Sequence, residues 1–98
     1  MALASTFTPT SYGAMAVSQT SSSVALPPGT GNVLVTNLGP AHVVVLLSTS
    51  ASTVVTQSTG VAIPAGQSLA LVIGSNTYIS AVTVGGGLVS QLNLAVGT

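Results

Sequence analysis

His42 is the one side chain in this sequence that changes charge near neutral pH, so acid–base or metal chemistry would have to start there. It has no company. The chain holds no Asp, Glu or Cys and no second His, and one imidazole alone makes a poor metal site within a single chain. A symmetric trimer could bring three copies to an axis, the one arrangement that would supply more ligands. The plainer reading is that His42 opens a strand after the Gly39-Pro40 turn and donates a local hydrogen bond. Serines and threonines are abundant, but a nucleophilic hydroxyl needs an adjacent base and an orienting acid, and no Ser stands in a Gly-x-Ser-x-Gly turn. Gly85-Gly86-Gly87 lacks the Lys-Ser/Thr that completes a phosphate cradle and reads as a hairpin turn. The expectation is a protein that is not an enzyme and takes no cofactor or metal.

The complete absence of Lys, Arg, Asp and Glu from 98 residues narrows the field further. Ordinary domains carry about 25% charged side chains. Without basic residues there is no patch for nucleic acid and no polybasic segment for anionic lipid. The aromatic residues Phe7, Tyr12 and Tyr78 are too few for a single-strand stacking platform. Missing surface charge also removes the repulsion that keeps free proteins apart. Such a composition points to a structural or assembly role.

A chain of this length makes one small domain. No disulfide can form. The longest aliphatic run, Val43-Val44-Val45-Leu46-Leu47, falls far short of the ~18 residues of a spanning helix. The N-terminus has no Lys or Arg to begin a signal peptide, so synthesis and use in a cytoplasm, or in something assembled there, is expected.

Turn signals recur at short intervals: Pro27 to Gly31, Asn37 to Pro40, Ser48 to Ser52, Ser58 to Gly60, Pro64 to Gly66, Gly74 to Asn76 and Gly85 to Gly87. Between them lie short segments rich in Val, Ile, Leu and Thr. Alternation places Leu69, Leu71 and Ile73 on one face of 68–73, and Leu92, Leu94 and Val96 on one face of 91–96, with Gln91 and Asn93 outward. Val33 and Val35 share a face of 32–37. His42 to Leu47 is apolar on both faces, as in a central strand or one covered by a neighbouring subunit. The fold expected is all-β: a small jelly-roll-like sandwich or barrel of six to eight short antiparallel strands over residues 24–98. Residues 1–23, Ser/Thr-rich and without clear periodicity, read as an extended N-terminal arm that orders against a partner.

Two charge-free alternatives have features against them. Ice binding needs a flat, regular threonine array, and Thr6 to Thr10 and Ser48 to Ser50 do not recur in register. Amyloid is opposed by five prolines and eleven glycines set as punctuation.

From residue 32 onward the string Asn32-Val33-Leu34-Val35-Thr36-Asn37, Gly39-Pro40-Ala41-His42-Val43-Val44-Val45, Ile63-Pro64-Ala65-Gly66, Tyr78-Ile79-Ser80-Ala81-Val82 and Leu92-Asn93-Leu94-Ala95-Val96-Gly97-Thr98 resembles small head-associated proteins of tailed bacteriophages. The resemblance omits the arm. It implies a capsid decoration, or cement, protein: a β-barrel, often trimeric, seated on the major capsid protein at the virion surface. A phage fibre or tail component, or a secreted surface-active or ice-binding protein, would share the composition. Aromatic residues are enriched at interface cores, which marks Phe7, Tyr12 and Met15 of the arm, with Val43, Val45 and Leu47 of the apolar strand, as expected contacts between subunits or with the capsid.

Overall fold

A computed structural model describes residues 8–56, 58–84 and 89–98. Eight strands follow one another: β1 (Pro9–Val17), β2 (Ser22–Ala25), β3 (Asn32–Asn37), β4 (Val43–Ser48), β5 (Val61–Ile63), β6 (Ser68–Val72), β7 (Tyr78–Thr83) and β8 (Ser90–Gly97). They form two four-stranded sheets, ordered β1-β8-β3-β6 and β2-β7-β4-β5, with every pairing antiparallel. The order has a simple origin. β1 pairs with β8, β2 with β7, β3 with β6 and β4 with β5, so the chain is a nested set of hairpins rolled over itself. The pairs β3–β8 and β4–β7 close the roll into two sheets. This is the jelly-roll connection of eight strands in two Greek keys. The hairpin turn expected at Gly85-Gly86-Gly87 lies outside the described residues.

Side-chain alternation builds the core. Val33, Val35, Leu92, Leu94 and Val96 from the first sheet meet Val43, Val45, Ile63, Ile79 and Ala81 from the second. Leu69 and Leu71 pack against that core and Ile73 is buried in it, while Gln91 and Asn93 face outward. The period-two readings of β3, β6 and β8 therefore hold.

The arm does not extend to residue 23. β1 pairs with β8 along its length from Pro9↔Gly97 to Val17↔Ser90, and Met15 and Val17 are core residues. The rolled topology demands this, because β8 would otherwise lack a neighbour on one side. β2, at Ser22–Ala25, likewise pairs with β7. The domain boundary expected between residues 23 and 24 falls inside this strand.

Asn37 ties the two sheets together at one end. It is fully buried. Its Nδ2 donates to the Ala41 carbonyl (2.8 Å) and the Ile63 carbonyl (2.9 Å), and its Oδ1 accepts from Gly39 N–H (3.2 Å) and Ser90 Oγ (2.5 Å). All the hydrogen-bonding capacity of the amide is used. A buried amide with every bond made specifies one arrangement of the loops around it.

With no carboxylates or amines in its side chains, the fold also gives up the usual response to acid. With no Asp, Glu, Lys, Arg or Cys to bind or release protons, the unfolded and folded chains differ by few bound protons. The melting temperature is expected to move by less than about 5 °C between pH 3 and pH 8, and as little between low and physiological salt. Calorimetry at the two pH values checks this; acid unfolding near pH 3 contradicts it.

Candidate interaction surface

His42 sits exposed just before β4, and its Nδ1 accepts a hydrogen bond from the Ala65 N–H at 3.1 Å. The expected local donor is thus an acceptor. Its partner comes from the Pro64-Ala65-Gly66 turn, brought close because β4 and β5 pair through Val43↔Ile63. This exposed imidazole clamps a turn and has no carboxylate or thiolate beside it, since the chain holds none. Among the described residues no cluster of metal-ligating side chains occurs.

The two outer faces of the sheets differ. On the β2-β7-β4-β5 sheet, Val44, Leu46, Val82 and Val84 turn outward. The β4–β5 connection folds across them and lays Val55 onto Val44 and Val82. Hydroxyls fasten this strap: Ser80 Oγ donates to the Thr53 carbonyl (3.0 Å), Ser23 Oγ does so at 3.3 Å, and the Val55 N–H donates to Ser21 Oγ (3.1 Å). The second apolar face of β4 is thus explained. β4 is central between β7 and β5, and the chain's own loop covers what a neighbouring subunit was expected to cover.

The outer face of the β1-β8-β3-β6 sheet has no such cover among the described residues. Register aligns Tyr12, Ala95, Leu34 and Ala70 in one row across four strands, and Ala14, Asn93, Thr36 and Ser68 in the next. Tyr12 and Val72, 67% and 75% exposed, stand at opposite edges of this face. Thr36 and Ser68 bond each other through their hydroxyls at 2.9 Å. The face is a neutral surface of Ala, Ser, Thr, Asn, Gln and Leu side chains with Tyr12 and Val72 at its margins.

Of the contacts expected from sequence, only Tyr12 lies on that surface. Met15, Val43 and Val45 point between the sheets and are buried in the core; Leu47 faces inward and packs against it. Met15, Val43 and Val45 are therefore closed to a partner, while Leu47 is only partly buried. Counting apolar residues selected them, but apolar residues on one parity of a strand belong to the core before they belong to an interface. Phe7 lies outside the described residues. Leu34, Ala70 and Val72 escaped notice although the alternation that placed Leu69 and Leu71 inward already turned Ala70 and Val72 outward. Leu38 and Val89 add exposed apolar side chains beside Asn37 and Ser90, where the Leu38 N–H donates to the Gln91 carbonyl at 2.8 Å.

Compared with known proteins, the chain matches no family model, no curated protein and no solved structure. What can be stated of its class rests on its own geometry: an all-β jelly roll with one outer face covered by its own loop and one that is uncharged and uncovered among the described residues.

Proposed function

We propose that this protein is a structural component of a bacteriophage head, a decoration protein docked on the major capsid protein through the open face of the β1-β8-β3-β6 sheet. The observation that carries the reading is that face, neutral and uncovered among the described residues, on a fold whose other face is covered by its own loop. Jelly rolls serve as viral capsid, lectin and cupin domains, and a fold alone does not choose among them. For metal recognition the composition offers a single imidazole and no carboxylate. Docking by shape, apolar burial and neutral hydrogen bonds suits many identical copies on a repeating shell. Such contacts are not screened by salt, unlike ion pairs.

Attachment to heads is accordingly expected to survive molar NaCl. An Ala70→Lys, Val72→Lys chain, altered only at exposed positions, is expected to fold normally and to lose occupancy. Cryo-electron microscopy of particles carrying a tagged copy provides the measurement. Evenly spaced density on the head supports the reading. Density confined to the tail or fibres, recovery of the chain only free in the medium, or release by salt overturns it.

A further inference from the structure

The alternation of backbone bonds shows what the free edge of β1 offers. The Asn37 N–H turns to β6, donating to the Gln67 carbonyl at 2.9 Å, while the next N–H, that of Leu38, turns to β8 and the Gln91 carbonyl. Residues of one parity in β3 therefore bond β6, and Leu34 and Thr36 bond β8. Their β8 partners are Ala95 and Asn93, so Leu94, Leu92 and Ser90 are the β8 residues that bond β1. Register then assigns those bonds to Gly13, Met15 and Val17. Tyr12, Ala14 and Ala16 are left with N–H and C=O directed away from the sheet. β8 is the one strand neighbour of β1, and no backbone bond joins these groups to another segment among the described residues.

We propose that β1 is a self-pairing edge, and that a second copy of this chain adds its own β1 antiparallel to it about a two-fold axis through Ala14. Three observations favour this occupant. First, β1 has nine residues, against four, three and five for the other edge strands β2, β5 and β6. Second, no charge lies on β1, and the two protections it carries, Pro9 and the irregularity between Pro9 and Ser11, sit at its start and leave Tyr12 to Val17 unguarded among the described residues. Third, the pattern is self-complementary. Centring on Ala14 sets Tyr12 opposite Ala16 of the other copy on both sides of the axis, a large side chain over a small one, and keeps the Pro9/Ser11 irregularity outside the pairing. The three residue pairs make about six hydrogen bonds. A partner with charges at this edge would have to desolvate them against a chain that has none to offer, whereas a second copy is as neutral as the first. The result is a continuous eight-stranded sheet and a dimer, in place of the trimer implied by the resemblance.

The proposal is independent of the capsid reading, and its test uses the isolated chain. Sedimentation is measured from micromolar to millimolar concentration for the parent, Ala14→Pro, Ala14→Lys and Ala70→Lys, with circular dichroism reporting the fold of each. Proline removes one outward N–H at an edge where it is tolerated. Lysine keeps the N–H but sets two like charges opposite each other across the axis. The expected result is a parent dimer whose dissociation constant rises at least about tenfold in both Ala14 variants, equivalent to 1.4 kcal/mol or more, and is unchanged in Ala70→Lys. Amide exchange gives a second readout: Tyr12, Ala14 and Ala16 become protected as concentration rises, while Gly13 and Met15 are protected throughout. A parent that stays monomeric, a trimer, association indifferent to both folded Ala14 variants, or concentration-independent exchange at Tyr12, Ala14 and Ala16 overturns the proposal.

Discussion

An Asn37→Ala chain is expected to unfold at least about 15 °C below the parent, a loss of roughly 4 kcal/mol. Truncation strands the Ala41 and Ile63 carbonyls, the Gly39 N–H and the Ser90 hydroxyl, the groups that Asn37 satisfies. Each buried group left without a partner costs about 1–3 kcal/mol, and a methyl group leaves no room for several waters to replace them. Asn37→Asp is expected to fare no better, because the carboxylate keeps the acceptor side but turns an oxygen toward two carbonyls. Ser90→Ala removes a single bond and is expected to cost only about 1 kcal/mol. Urea unfolding of the three variants checks the order; an Asn37→Ala loss below about 1 kcal/mol would show that the amide does not join the sheets.

Gly39→Val is expected to come next, at about 3 kcal/mol. A Cβ at Gly39 would lie 2.6 Å from the Ser90 Cα and 2.8 Å from the Gln91 nitrogen, and it would also run into the Ser90 hydroxyl. Two of those atoms are β8 backbone and cannot rotate away, so the β3–β4 turn must lift from β8. That movement breaks the Leu38 N–H bond to the Gln91 carbonyl and pulls on the Asn37 amide. The double variant Asn37→Ala, Gly39→Val should therefore lose less than the sum of the single losses, because both damage the same junction. Full additivity in thermal unfolding would count against a shared junction.

Strands whose faces differ sharply in polarity were legible from the amino-acid order alone: β3, β6 and β8 each show an apolar parity that the core then uses. β1 was not, for a physical reason. Its inward positions run Ser11, Gly13, Met15, Val17, and at Gly13 a Cβ would lie 3.1 Å from the Pro27 ring. The space there is already filled, so a small residue sits where a hydrophobic one would have announced a strand. β4 failed differently. Its two apolar faces were plain, but its cover, the loop bearing Val55, is otherwise Ser/Thr-rich and reads as a linker. The Asn37 junction joins positions as distant as Asn37 and Ser90, and no local pattern encodes that. As for the interaction surface, Tyr12 could be chosen from its chemistry, whereas Leu34, Ala70 and Val72 required knowing which sheet had been left open.

The nested pairing of the strands also sets an order of events in time. Pro9 finds its partner at Gly97, with Thr8 bonding Thr98 just beyond, and every other strand pair lies within these. β8 is the last strand to leave the ribosome, and both β1 and β3 need it as a neighbour. Folds dominated by such distant pairings cross their barrier in milliseconds to seconds, far more slowly than those made from local contacts. Until then β1 waits with both of its edges free, in a chain with no charges to keep it from another nascent copy. Expression level and temperature, which set how many such chains meet, should govern the yield of this protein more than the stability of the finished roll does.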